Sequence, residues 1–448
     1  MKRNGFLTGI MYVLLVFLVV GLFLMIYMNF QANHKQMEEI AAAQAAAAVT
    51  PTPEPTATPE PTATPTRTVE TVTLAVAGDI VAQPGLTTEA ASGSTTDENG
   101  NETVDYDYYD EIAGVLPSLS GADKAVCTFV GTMGNEGPYD EGYRMAPAMA
   151  TALASVGFQV VNLATDHILD RGVNGLTDTV TAMTDSGLIV SGAYKSALSH
   201  SVYMADLHGV NVAFLSYTYG TGGVSLAEDF WCLDVFTTDY MTEQTDVDYD
   251  RIDADIAAVR GAGADIVVCF LYWWDNTQYY TQPRAAQTEV AERLLADGVD
   301  VLIGGGVKTP QPMEFVTVER EGGVKANCVV CYSLSSLMSC FNDIYTNLSA
   351  VVRIEMSRDT NSGDTWISGV SYRPLFMLDT DDYGDYEDPG YKYRLLDAYD
   401  AISAYENGGT EVSAETYDAL LTGVEDLRGF LGEEFDVNNG GKTLDYPY

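Results

Sequence analysis

Histidine is scarce in this chain, four in 448 residues, and basic side chains are few, 22 lysines and arginines against 64 aspartates and glutamates. The resulting formal charge of −42 repels phosphate backbones and anionic headgroups, which excludes nucleic acid as a partner and docking on anionic lipid surfaces. Scarce imidazole also narrows the metal chemistry, because transition-metal hydrolase centres take many of their ligands from histidine. His34 lies in a polar N-terminal stretch, and His200 and His208 fall in "SHSVYMADLHGVN", which reads as a surface hairpin or loop. Only His167, in "VVNLATDHILDRG", follows an apolar strand and stands beside other candidate ligands. There is no Gly-x-Ser-x-Gly elbow, and the "GGG" at 304–306 lacks the Lys-Ser/Thr of a phosphate-binding loop. Nucleophile-elbow and P-loop chemistry are therefore unsupported.

Six cysteines are present, yet their setting argues against a disulfide framework. Cys127, Cys269, Cys328 and Cys331 lie in short apolar runs that read as buried strands, where a free thiol behaves as a small hydrophobe. Cys328 and Cys331, three apart on a strand, point to opposite faces and make poor partners for one metal. The acidic stretch "DTDDYGDYEDPG" has Tyr383 where an EF-hand needs Asp or Asn, so it reads as a solvated loop.

Long hydrophobic runs are confined to one place. From Gly5 to Phe30 no residue is charged, enough at about 1.5 Å per residue to cross a hydrocarbon core of about 30 Å. Lys2 and Arg3 precede it, so residues 1–4 are expected in the cytoplasm, 5–30 as a single transmembrane signal anchor, and the remainder outside the cell. Residues 31–69 read as a stalk and a Pro/Thr-rich spacer, "PTPEPTATPEPTATPTRT", extended and solvated.

Globular patterning begins at Glu70. After the strand-like "TVTLAVAGD", one sentence recurs: an amphipathic helix, a glycine, then an apolar strand. "PAMATALASVG" leads into "FQVVNLA", "GLTDTVTAMTDSG" into "LIVSG", "DRIDADIAAVRGAG" into "ADIVVCFLYWW", and "RAAQTEVAERLLADG" into "VDVLIGGG". Repeated units of this kind imply an α/β fold with its sheet covered by helices. The polar stretch between Asp79 and Asp123 reads as a surface excursion, and 70–378 is expected as the main domain. Residues 379–448 are expected as an acidic loop and helical extension: Leu395, Tyr399 and Ile402 form one stripe, and Tyr417, Leu420, Leu421, Val424 and Leu427 another, capped at Ser413.

In order along the chain, "AVAGDI", "VGFQVVNLATDHILDRGVNGL", "GADIVVCFLYWWDN", "DGVDVLIGGGVKTPQP" and "CYSLSSL" resemble the landmark blocks of the CapA-type poly-γ-glutamate capsule biosynthesis family. That family's fold is related to the calcineurin-like metallophosphatases. The resemblance, spanning roughly Thr71 to Pro374, implies a four-layer metallophosphatase-like sandwich, two facing sheets flanked by helices, in an exported protein of exopolymer metabolism. It places Asp79, Asp166 and His167 at ligand positions of the family's metal site. It also places Val130, Tyr272, Asn276, Gly306 and Lys308 where that site has carboxylate or imidazole ligands, and none of the apolar, glycine or lysine side chains can ligate a cation.

Two readings of the site follow. Asp79, Asp166 and His167 form a residual set for one divalent cation, Mn, Fe or Zn, with His167 the candidate catalytic group; or they are polar loop-end residues making turns and local hydrogen bonds. Tyr272, Trp273, Trp274, Asn276, Lys308 and Gln311 are the candidate cleft and substrate-binding residues, the aromatics being suited to stacking on a polymer. The expected function is binding or assembly of a surface polymer, or of its synthesis machinery, by a single-pass cell-membrane protein that has lost dinuclear catalysis. The alternative is a mononuclear metal-dependent hydrolase or transferase acting on a phosphoester or polymer precursor.

Overall fold

The computed structural model describes residues 68–447 except 97–99, 101, 135–136, 138, 140, 227–229, 274–279 and 384–389. The expected membrane anchor, the linker up to Arg67, Trp274 and Asn276 thus lie outside the described residues. No helix among the described residues is long and apolar enough to cross a membrane.

Two sheets carry the fold. Their strands in chain order are β1 (Val69–Val81), β2 (Lys124–Val130), β3 (Val160–Asn162), β4 (Ile189–Ser191), β5 (Tyr203–Leu207), β6 (Val210–Thr218), β7 (Ile266–Tyr272) and β8 (Val301–Gly305). They continue with β9 (Pro310–Glu319), β10 (Lys325–Leu334), β11 (Ser336–Met338), β12 (Leu348–Asp359), β13 (Thr365–Asp379), β14 (Tyr393–Asp397) and β15 (Lys442–Thr443). The first sheet runs β14-β13-β12-β1-β2-β3-β4, with β11 pairing on β1 and β15 on β13; the second runs β9-β10-β8-β7-β6-β5. β1 to β4 are mutually parallel, as are β6, β7, β8 and β10.

The period-two alternation of each strand builds the layers. Val72, Leu74 and Val76 of β1 face inward and meet Val212, Phe214, Val268 and Phe270 from the second sheet. Ala75 and Ala77 face outward and pack with Met149, Leu153 and Leu176 of the helices Ala148–Ser155 and Gly172–Asp185. On the far side, Val267, Cys269 and Leu271 of β7 pack on Ile252, Val290 and Leu294 of the helices Tyr249–Gly261 and Ala285–Asp297. The result is helix, sheet, sheet, helix, the four layers expected, and it explains why the strands read as unbroken apolar runs: both faces are covered. All six cysteines are free, and Cys331 faces the inter-sheet core whereas Cys328 faces the outer helices.

The recurring glycine has one mechanical cause. Gly157, Gly187, Gly263 and Gly298 all have positive φ, between 85° and 130°, and in each case the next residue's N–H donates to a carbonyl five residues back, as in Leu188 to Met183 at 3.0 Å and Val299 to Leu294 at 2.9 Å. This left-handed stop caps the helix and turns the chain into the following strand.

The C-terminal segment differs from expectation. Leu395 is not on a helical stripe; it lies in β14, antiparallel to β13 opposite Met377. The helix starts only at Ala398, where Asp397 accepts the Asp400 N–H. Three residues cannot distinguish a period of 2 from 3.6, and strand pairing decides. The helix Ala414–Leu431 is capped by Ser413 as expected and buries Leu420, Val424, Leu427 and Leu431 in the inter-sheet core. Residues 67–448 form one compact unit. The excursion after Asp79 holds an exposed hairpin, 91–106, but Tyr108, Ile112 and Val115 just beyond it are fully buried.

Candidate functional site

The carboxyl ends of parallel strands gather Asp79 from β1, the 163–170 loop after β3, Tyr219 after β6, Tyr272 from β7 and Gly305–Gly306 from β8. Open α/β sheets place ligands at such strand ends. Asp79 is held there by its backbone: its N–H donates to the Ser335 carbonyl at 3.0 Å. A Cβ on the preceding Gly78 would lie 2.3 Å from that same oxygen, so the close approach requires glycine. Ser335 itself sits at φ 63°, and its hydroxyl donates to the Lys308 carbonyl at 2.9 Å.

The Asp79 side chain is 5% exposed, and its Oδ2 accepts the Gly306 N–H at 2.8 Å. A Cβ on Gly305 would stand 2.9 Å from Asp79 Oδ1, and one on Gly306 3.2 Å from the Tyr272 ring. The carboxylate therefore lies beside the Gly305–Gly306 backbone and near the Tyr272 ring, and Gly306 and Tyr272 stand where the family resemblance calls for imidazole. Burial raises the Asp79 carboxyl from 3.8 to about 7; the Gly306 N–H opposes the rise and the nearby Asp166 charge adds to it.

Asp166, 6% exposed, accepts the Tyr219 hydroxyl on Oδ2 at 2.8 Å. His167 turns toward Asp170, with Nδ1 at 3.0 Å from Asp170 Oδ2, and lies against the Tyr143 ring at 3.8 Å between centroids. Its Nε2 is 3.8 Å from Asp166 Oδ1, beyond hydrogen-bonding range. Asp79 and Asp166 thus come within charge interaction of each other, while His167 is engaged by the loop. Among the described residues no group of three or more His, Cys, Asp or Glu side chains is placed to hold a metal ion. The residual three-ligand set Asp79, Asp166 and His167 is not assembled, and the described residues do not fit a dinuclear centre. Asp79, raised to about 7 by burial, can hold and release a proton near neutral pH.

The expected cleft residues separate. Tyr272, 7% exposed, is at the site, its ring parallel to Tyr219 at 6.5 Å. Trp273 is not a cleft residue: it is wholly buried, donates Nε1–H to the Tyr332 carbonyl at 3.1 Å and stacks on the Tyr332 ring at 5.9 Å. Gly304 makes room for it, since a Cβ there would fall 2.5 Å from the indole. Gln311 is also fully buried, and acts as a brace: its amide donates to the carbonyls of Tyr280 at 3.1 Å and Gln282 at 3.0 Å and accepts from Gln287. Lys308 is half-buried, its ammonium 4.6 Å above the Phe341 ring. His200 hydrogen-bonds Asp234 at 2.9 Å, and His208, in the turn between β5 and β6, lies 3.3 Å from Asp123. Sequence reasoning missed Tyr219, Tyr143, Ser335 and the Gly306 N–H, which reach the site from non-local segments and carry no local motif.

Residues 73–339 match the family model described as bacterial capsule synthesis protein PGA_cap. A probable polyglutamine synthesis accessory protein of Mycobacterium tuberculosis is 31% identical over 182 residues, 39% of this chain and 45% of that protein. The capsule biosynthesis protein CapA of Bacillus anthracis is 25% identical over 209 residues, 46% of each chain. The matched stretches therefore span about half the length of these curated relatives. Among solved structures, a phosphatase from Mycoplasma pneumoniae aligns with a TM-score of 0.40 at 8% identity, over 68% of this chain and 94% of that one. The calcineurin-like phosphoesterase YfkN from Bacillus subtilis aligns with a TM-score of 0.36 at 11% identity, over 81% and 98%.

Proposed function

The chain belongs to the bacterial capsule synthesis family PGA_cap, and from that premise we propose that it serves the synthesis or retention of a poly-γ-glutamate-type surface polymer by binding or assembly, with dinuclear metal catalysis lost. The carrying observation is at Gly306 and Tyr272, which stand where the family resemblance gives imidazole ligands: Gly306 offers only its N–H, which Asp79 Oδ2 accepts, and Tyr272 packs its ring beside it. The expected surface location, anchored by residues 5–30, belongs to the same reading. Charge refines the partner. A chain at −42 repels a polyanionic polymer beyond contact distance, with screening over about 8 Å at physiological salt. The synthesis machinery is therefore the favoured contact, with the polymer reached through counter-cations.

Complementation tests this. In a strain lacking the chain, cell-associated polymer falls, and an Asp79→Ala chain, present at wild-type level, restores it as fully as the wild type does. Failure of Asp79→Ala to restore polymer, together with phosphoester hydrolysis by the purified wild-type chain and its loss in the variant, would favour a hydrolase or transferase instead.

A further inference from the structure

A groove of about 520 Å³ that shares no lining residue with the Asp79 site runs between the helices Ala148–Ser155 and Gly172–Asp185. Asp178, Thr181 and Asp185 line one wall, at the spacing that puts them on one helix face, and Thr151 lines the other. Arg144 and Gly134 line the end beside Thr179, where the Met133 N–H donates to Thr179 Oγ1 at 2.8 Å. At the opposite end the Thr151 and Ser186 hydroxyls are 3.4 Å apart. Thr179 to Asp185 is six residues of helix, about 9 Å along its axis.

In a chain with 64 acidic and 22 basic side chains, half-buried arginines find carboxylates. Arg251, Arg260, Arg320, Arg373 and Arg428 each pair with a buried aspartate. Arg144, also half-buried, pairs with none among the described residues, and its Nε has no hydrogen-bond partner. The guanidinium is nevertheless seated. It lies over the Tyr139 ring at 5.6 Å, and the Tyr139 hydroxyl donates to the Gly134 carbonyl. Gly134 leaves room for the fork, since a Cβ there would fall 2.5 Å from Arg144 Nη2. A positioned guanidinium without a carboxylate, beside a groove, has the form of an oxyanion receptor.

We propose that this groove binds a short peptide zwitterion of about three residues, its terminal carboxylate on Arg144 and its terminal ammonium at Asp185. The Arg144 fork matches a planar carboxylate with two parallel hydrogen bonds. A dianion such as phosphate fits less well, because the exposed carboxylates of Asp178 and Asp185 share the groove and repel it. The same carboxylates attract an ammonium. Three extended residues span at most about 10 Å, which matches the run from the Thr179 turn to Asp185. Along that run the Thr151, Thr181 and Ser186 hydroxyls offer hydrogen bonds to peptide groups, which a bare methylene chain could not use.

Titration calorimetry of the full chain with triglycine tests it, beside C-terminally amidated triglycine, N-acetyl-triglycine and inorganic phosphate. Saturable one-site binding of triglycine is expected, weakened roughly tenfold by amidation and by Arg144→Lys, which keeps the charge and loses the fork. N-acetylation and Asp185→Asn each weaken it about threefold, the size of an exposed ion pair, and Asp79→Asn leaves it unchanged. No saturable binding, equal binding of the amidated peptide, indifference to Arg144→Lys, or tighter binding of phosphate would each overturn the proposal. Amidation removes the carboxylate without touching the protein, so the outcome does not hang on a variant's fold.

Discussion

Trp273→Ala is expected to lower the unfolding free energy by about 3–5 kcal/mol, the range for removing a large aromatic from a packed core. The indole is enclosed by Gly304 and Tyr332, and its N–H satisfies the Tyr332 carbonyl, so truncation leaves both a cavity and an unpaired acceptor. Denaturant titration of the wild-type and variant chains measures the loss. A drop below about 1 kcal/mol, the size of an ordinary surface change, would mean that the ring is not seated in the outer core of the second sheet.

Asp79→Asn is expected to act in the opposite direction and only at higher pH. The folded carboxyl keeps its proton to about 7, whereas the unfolded one releases it near 3.8. Between those values the folded chain binds more protons than the unfolded chain, so stability falls as pH rises and the loss is complete above about 7; the total is about 4 kcal/mol. Asparagine cannot ionise, and its carbonyl oxygen can still accept the Gly306 N–H. The variant should therefore gain roughly 3 kcal/mol on the wild type between about pH 5 and about pH 8. Equal differences at the two pH values would contradict a buried, proton-holding Asp79.

The layers were legible because each αβ unit announces itself locally. A glycine forced to positive φ ends each of four helices, and a strand covered on both faces reads as an apolar run. The pairing order of the strands was not legible, nor was the β14 pairing that takes Leu395 out of the helical stripe, since it is set by partners far away in sequence. At the site, Asp79, Asp166 and Tyr272 were picked out by the family resemblance, whose motif blocks fall at strand ends. Trp273 was misplaced because "LYWWDN" turns polar at its end, and only Gly304, thirty-one residues on, shows why the indole dives inward. Gly306 likewise looked like a lost ligand. Read as backbone it gains a purpose: its N–H binds the carboxylate that the missing imidazoles would have flanked.

Metal content bears most directly on the central claim. The full chain, expressed with added manganese, iron and zinc and desalted, is assayed by elemental analysis beside its Asp79→Ala variant. The loss of imidazole at Tyr272 and Gly306 predicts the same sub-stoichiometric metal in both. Two equivalents per chain in the wild type, lost in the variant together with phosphoester hydrolysis, would show a working dinuclear centre and contradict the account.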